Sequence, residues 1–270
     1  MQTASSISEI PVVILCGGMG MRLKEETEFR PKPMVEIGQH PILWHIMKSY
    51  SRYGFQKFIL CLGFRGKVIK EFFLNYSIHA SDVEVHLGHH ASITVLNHNE
   101  PEDWTVTLAD TGLNTMTGGR VRRIQKYITT DNFLLTYGDA VSDVNLGALL
   151  EFHLSHGKVA TVTGVCPPSR FGELDVENGL VTSFTEKPVG SGLINGGFFA
   201  FSKKLFDYLP SNDSLVLERE PLETLSRDGQ LMMRPHEGFW QCMDTIRDVT
   251  YLRSLAEGGE PPWIPLMEGR

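Results

Sequence analysis

The chain alternates between two apolar patterns. A β-branched run, Val12-Val13-Ile14-Leu15, stops at Gly17, Gly18 and Gly20 and predicts a buried strand delivering a loop whose backbone approaches a ligand closely. Over residues 41–53, Ile42, Ile46, Met47, Tyr50 and Tyr53 recur at helical spacing before Gly54, a natural helix stop. Residues 57–62 read as another buried strand and 68–76 as a second amphipathic helix. Such alternation needs crossovers between parallel strands, so a doubly wound α/β fold is expected, with helices on both faces of a mostly parallel sheet.

The pattern then changes. Residues 83–87, 93–96 and 104–108 are short alternating runs between polar loops, and they predict an antiparallel insertion within 77–109. Subunit contact and a plain solvated meander are equally good uses for it. From Thr117 the α/β alternation returns: a basic helix through Arg120, Arg122, Arg123 and Lys126, a strand over 133–137, a helix over 146–156 and a strand over 159–165. Gly138-Asp139 therefore falls at the carboxyl end of a strand, where doubly wound sheets bind ligands. Residues 171–184 predict a hairpin turning at Glu177-Asn178-Gly179. A strand over 198–201, a helix over 218–227 and a closing helix after Asp244 complete the chain.

At 270 residues and 41% hydrophobic content the chain can bury a full core. No apolar run approaches the roughly 20 residues of a membrane span, and residues 1–10 lack the make-up of a signal peptide, so a soluble cytoplasmic protein is expected. Cys16, Cys61, Cys166 and Cys242 form no Cys-x-x-Cys pair and read as reduced, structural thiols. His86, His89, His90, His153 and His156 have no acidic or cysteine partner at ligand spacing and read as surface or partly packed. A formal charge of −7 argues against a nucleic-acid partner. A small anionic substrate stays compatible with it where local Arg, Lys and metal charge collects.

Three glycines with Arg22 and Lys32 beyond them suit a phosphate, because bare main-chain N–H groups and cations face the same region. Leu23 stands where a dinucleotide fingerprint needs its third glycine, and Arg22-Leu23-Lys24 replaces the end of a Walker A loop. Lys32 lies between Pro31 and Pro33, which predicts an extended, stiffened lysine, and Lys187 before Pro188 repeats the device. Asp139 and Asp244 are lone carboxylates at loop mouths, open to reading as metal ligands or as turn and cap residues. No Ser-His-Asp or Cys-His constellation is evident.

Gly17-Gly18-x-Gly20-x-Arg22 followed by Pro31-Lys32-Pro33-Met34 resembles the signature of the sugar-phosphate nucleotidyltransferases. The stretches 42–47, Tyr137-Gly138-Asp139, 194–199 and 240–245 resemble the glucose-1-phosphate cytidylyltransferase branch of that family, and the resemblance runs from about residue 11 to 263. It implies a Rossmann-like sheet of the nucleotide-diphospho-sugar transferase type in one domain over 1–270, with a nucleotide-binding part over 11–165 and a sugar-phosphate-binding elaboration over 166–270. The implied activity is Mg²⁺-dependent conversion of CTP and α-D-glucose 1-phosphate to CDP-glucose and pyrophosphate; a homo-oligomer that binds neither nucleic acid nor membrane is expected. Rival readings keep the chemistry with UTP, dTTP or a heptose phosphate, or keep the fold as a non-catalytic sensor.

By the same resemblance, the nucleotide would be held by Leu15, Cys16, Gly17, Gly18, Met19, Gly20, Met21, Arg22 and Lys32, with Thr115, Arg120 and Gly138. Arg170, Glu186, Lys187, Asn195 and Gly196 would hold the sugar phosphate, and Asp139 and Asp244 the metal. Arg22, Lys32 and Lys187 would be the catalytic cations. As an isolated feature, the Arg120 run also reads as an ordinary basic helix face. Three positions depart from the family's usual residues: Met21 for Thr, Cys16 for Ala and Ala140 for Gly. None removes a cation or a metal ligand.

Overall fold

The Pro11–Leu15 strand is buried at every position, as an uninterrupted β-branched run requires, because it lies between two parallel neighbours, Lys57–Leu62 and Asn132–Tyr137. A computed structural model of the chain describes residues 6–96, 102–167, 173–185 and 192–264. Its central sheet has seven strands, in the order Leu231–His236, Ala160–Val165, Ile194–Ser202, Asn132–Tyr137, Pro11–Leu15, Lys57–Leu62 and Thr105–Asp110. All neighbours run parallel except Ile194–Ser202, which is antiparallel to both strands beside it.

Side chains alternate across the first strand and so feed two cores. Val12 and Ile14 pack with Ile42, Leu43, Ile46, Met47, Leu146, Leu149, Val249 and Leu252, from the helices Ile42–Ser51, Leu146–His156 and Ile246–Glu257. Val13 and Leu15 pack on the other face with Val121 and Leu225, from Thr117–Arg123 and Glu220–Arg227. Helices on both faces of a mostly parallel sheet therefore form as the alternation of patterns predicts. The Glu173–Glu177 and Leu180–Thr185 hairpin turns at Asn178 and Gly179, whose φ angles of 48° and 85° suit a two-residue type I′ turn.

Three expectations are corrected. Thr105–Asp110 is not part of an antiparallel insertion; it pairs in parallel with Lys57–Leu62, from Lys57↔Thr105 to Leu62↔Asp110, and forms an edge of the sheet. The antiparallel unit shrinks to the hairpin Val83–His86 and Ser92–Val95. The second helix runs Gly66–Leu74, and a separate turn, Tyr76–His79, follows Asn75. All four cysteines are free. No helix among the described residues is long and apolar enough to cross a membrane.

Two buried histidines make the fold acid-sensitive. Burial holds the imidazole of His45 down at about 4 against the pull of the Ile37 carbonyl, and burial with the neighbouring His156 does the same to His153. Between pH 6.5 and 4 the unfolded chain binds protons that the folded chain refuses, so stability is present above 6.5 and falls as the pH drops toward 4. Each imidazole contributes at most about 3 kcal/mol to this loss. Urea midpoints at pH 7.5, 6 and 4.5 should fall in that order, and His45→Gln should flatten the slope. Equal midpoints at pH 7.5 and 4.5 would refute the account.

Candidate active site

The carboxyl ends of the parallel strands Pro11–Leu15 and Asn132–Tyr137 lie side by side, with Leu15 opposite Tyr137. The loops that leave them face a common cavity of about 400 Å³, lined by Leu15, Cys16, Gly17, Gly18, Met19, Gly20, Met21, Arg22, Lys32, Thr115, Arg120, Gly138 and Asp139. Pro33, Met116, Thr117 and Tyr137 complete the lining. Twelve of these residues are the ones expected on the nucleotide side, and Asp139 is an expected metal ligand.

Arg120 shapes the loop. It is 4% exposed, and its Nη1 donates to Leu62 O at 3.0 Å, Thr111 Oγ1 at 2.8 Å and Gly112 O at 2.7 Å. Its Nη2 donates to Gly17 O at 3.0 Å and Leu113 O at 3.2 Å. A solvated basic face is therefore not what forms here: Arg122 also donates to Phe206 O, and Arg123 to Thr111 O and Asp213. The guanidinium fills the space beside Gly17, where an added Cβ would lie 2.2 Å from Arg120 Cζ. Gly20 is needed for a different reason, its φ of 62°.

Lys32 is not extended. It opens a 3₁₀ turn, Lys32–Met34, and Pro31 takes the extended backbone instead, with φ −72° and ψ 153°. The bonds Met34 N–H to Pro31 O at 2.8 Å and Val35 N–H to Lys32 O at 3.1 Å outweigh the preference of a residue before proline. The side chain ends between two carboxylates, with Nζ donating to Asp139 Oδ2 at 2.6 Å and Asp244 Oδ1 at 2.7 Å. Burial alone would lower the ammonium pKa, but Asp139 and Asp244 outweigh it and hold the pKa above its ordinary value. Arg22, largely exposed, donates to Asp244 Oδ2 at 2.8 Å.

A small antiparallel strand pair brings the two aspartates together although 105 positions separate them. The strand Ala140–Ser142 pairs antiparallel with Trp240–Cys242, and Met243 N–H donates to Asp139 O at 2.8 Å. Asp244 then precedes a capping box in which Asp248 Oδ2 accepts from Thr245 N at 2.8 Å and from Asp244 N at 3.0 Å. Among the described residues no three His, Cys, Asp or Glu side chains could hold a metal by themselves. Two carboxylates already gathered around one cation fit a divalent ion that completes its shell with substrate phosphate and water.

No thiol in this region is a nucleophile at neutral pH. Burial, then the charges of Asp244 and Asp139, push Cys242 up to about 11, and burial pushes Cys61 up to about 12 and Cys16 well above its usual value. Ser142, Asp143 and His236 stand together, yet Ser142 Oγ at 3.2 Å, Asp143 Oδ1 at 2.9 Å and Phe239 O at 3.2 Å all contact His236 Nε2. A proton relay needs separate partners on the two ring nitrogens, so this group is structural.

Asn195 and Gly196 lie on the strand Ile194–Ser202, where Asn195 Nδ2 donates to Tyr137 Oη at 3.3 Å and Gly196 O accepts from Trp240 Nε1 at 2.8 Å. Arg170, Glu186 and Lys187 lie outside the described residues. The side chains of Thr117, Tyr137, Glu218 and Trp240 also take part in this region, and sequence reasoning assigned none of them a role. The available signal was the Tyr137-Gly138-Asp139 motif for the tyrosine; no local pattern marks Glu218.

The chain is 52% identical over 253 residues to a glucose-1-phosphate cytidylyltransferase of Salmonella typhi, covering 93% of this chain and 97% of that protein. It is 43% identical over 251 residues to a probable glucose-1-phosphate cytidylyltransferase of Bacillus subtilis (strain 168), covering 93% and 98%. A solved putative glucose-1-phosphate thymidylyltransferase from Bacillus anthracis shares the fold, with a TM-score of 0.67 and 17% identity over 97% of this chain and 98% of that one. Residues 11–248 match the nucleotidyl transferase family, and the chain belongs to that family.

Proposed function

We propose that this protein joins CTP to α-D-glucose 1-phosphate, releasing pyrophosphate and CDP-glucose. The observation that carries the reading is the seating of Lys32 between Asp139 and Asp244 at the end of the glycine-loop cavity. A sensor that only bound a nucleotide sugar would have no need of both carboxylates. The two relatives of 52% and 43% identity that are named for this activity support the choice of substrates.

A phosphate oxygen of glucose 1-phosphate attacks the α-phosphorus of CTP, a new P–O bond forms opposite the α–β bridge, and that bridge breaks to free pyrophosphate. The sugar phosphate has a second pKa of about 6 and is largely dianionic at neutral pH, so no general base is needed. The chain's task is to hold two anions in line and balance the charge that develops. The loop N–H groups with Arg22 and Lys32 hold the triphosphate, while Glu186 and Lys187, with Arg170, Asn195 and Gly196, hold the sugar phosphate. Members of this family use a divalent metal; Asp139 and Asp244 would hold it, as Mg²⁺, and it would supply positive charge against the negative charge that develops on the reacting phosphates. The nucleotide side corresponds to residues 11–165 and the sugar side to 166–270, and the working form is a homo-oligomer.

A panel of nucleotides and sugar phosphates, read by pyrophosphate release, tests the reading. CTP should exceed UTP by at least about tenfold in kcat/KM, roughly 1.4 kcal/mol, which one or two base-edge hydrogen bonds supply. Equal turnover of UTP would replace the cytidylyl assignment with a broader one.

A further inference from the structure

One carboxylate stands behind both substrate sites and belongs to none of the motifs. Glu218 Oε1 accepts the Tyr137 hydroxyl at 2.5 Å, and its Oε2 accepts the Thr117 hydroxyl at 2.6 Å. Both hydroxyl-bearing side chains line the nucleotide cavity, while Glu218 itself is not part of that lining. A carboxylate only accepts, so the protons of both hydroxyls are committed to it. Two consequences follow.

On the nucleotide side, Thr117 Oγ1 has its proton on Glu218 and accepts Leu217 N–H at 2.9 Å, which fixes its rotamer at the first residue of the Thr117–Arg123 helix. On the other side, Tyr137 Oη can only accept from Asn195, which meets it through Nδ2 at 3.3 Å. Asn195 Oδ1 is taken by Gly197 N–H at 2.9 Å, so the amide is held at both ends. The phenol stays protonated in this setting, because burial and then the Glu218 charge raise its pKa. Gly197 has a φ of 81°, and a Cβ there would lie 2.5 Å from Tyr137 Cδ2, so the tyrosine ring also packs directly on the backbone beside Asn195.

We propose that Glu218 is a positioning residue shared by the two substrate sites, setting the nucleotide wall through Thr117 and the sugar-side amide through Tyr137 and Asn195. The inference rests on reading Asn195 as a sugar-phosphate-side ligand and on the substrates proposed above. It goes beyond them by giving a role to a residue that touches neither substrate, and by predicting which substrate each of its partners affects.

The test is a set of Michaelis constants for both substrates in Glu218→Gln, Thr117→Val and Tyr137→Phe, with melting temperatures measured alongside. Glu218→Gln keeps shape but puts an N–H where a hydroxyl must donate, and should raise both KM values by about threefold to tenfold. Thr117→Val should raise the KM for CTP alone, and Tyr137→Phe that for glucose 1-phosphate alone. The double variant Glu218→Gln/Tyr137→Phe should be no worse toward glucose 1-phosphate than Glu218→Gln, because both changes break one chain of contacts. Unchanged KM values in a folded Glu218→Gln enzyme, or fully additive effects in the double variant, would overturn the proposal. If the wild type prefers another nucleotide and sugar phosphate, the substrate reading fails, and the same split measured on that pair still decides the role of Glu218. If Asn195→Ala leaves the sugar-phosphate KM unchanged, the ligand reading of Asn195 fails, and matching CTP effects in Glu218→Gln and Thr117→Val still decide the carboxylate's role.

Discussion

Asp139→Asn should lower kcat by at least about a hundredfold while leaving the protein folded. The change keeps volume and one acceptor oxygen but removes the negative charge that, with Asp244, gathers a cation at the end of the cavity. Loss of a preorganised electrostatic partner of the reacting phosphates costs about 10²–10³ in rate where it has been isolated, which sets the expected size. The fold should survive for two reasons. Lys32 keeps Asp244 as a partner at 2.7 Å, and the main-chain bond from Met243 N–H to Asp139 O does not involve the side chain. Far-UV circular dichroism and the melting temperature check this, and Mn²⁺ titration of the free protein checks the metal step apart from turnover. Activity within about threefold of wild type, under 1 kcal/mol in barrier, would return Asp139 to the role of a turn residue.

Much of this arrangement is legible in the sequence because it is local. The Pro11–Leu15 run, the glycines after it and the Gly138-Asp139 pair after another apolar run place two loops at the carboxyl ends of parallel strands, and they do lie side by side. The sequence misleads where neighbours decide. Thr105–Asp110 alternates polar and apolar residues because it is an edge strand with one half-solvated face, and that pattern is also what an antiparallel meander looks like. Ile194–Ser202 reads as a strand, but its antiparallel place between Ala160–Val165 and Asn132–Tyr137 is fixed by pairing across long stretches of chain.

The candidate site divides in the same way. Arg120, Arg122 and Arg123 look like a solvated face until their carbonyl partners are known, and those of Arg120 include one 103 positions away. Glu218 meets Tyr137 and Thr117 across 81 and 101 positions, with no spacing rule to announce it. The backbone of Lys32 departs from the extended form because a local rule about proline loses to two hydrogen bonds of a turn.

Lys32→Ala and Lys187→Ala should damage different substrates. Lys32 follows the glycine loop, lines its cavity and ends between Asp139 and Asp244, which supports the proposal that it serves the triphosphate. Lys187 comes more than 150 residues later, just beyond the Leu180–Thr185 strand and shortly before Asn195 and Gly196, and is the lysine proposed for the sugar phosphate. A charge-assisted contact to a phosphate is worth about 1.5–3 kcal/mol, so Lys187→Ala should raise the KM for glucose 1-phosphate about tenfold to a hundredfold and that for CTP far less. If the contact strengthens as charge develops at the α-phosphorus, kcat should fall with it. Lys32→Ala should show the reverse bias, and it has a second consequence that Lys187→Ala lacks. Removing the ammonium leaves Asp139 and Asp244 facing each other without their shared cation, so in the absence of metal this variant should lose thermal stability and regain it on adding Mg²⁺. Both Michaelis constants for both variants, with melting curves in chelator and in Mg²⁺, decide the matter. A Lys187→Ala enzyme impaired only toward CTP would show that the two anion sites are assigned the wrong way round.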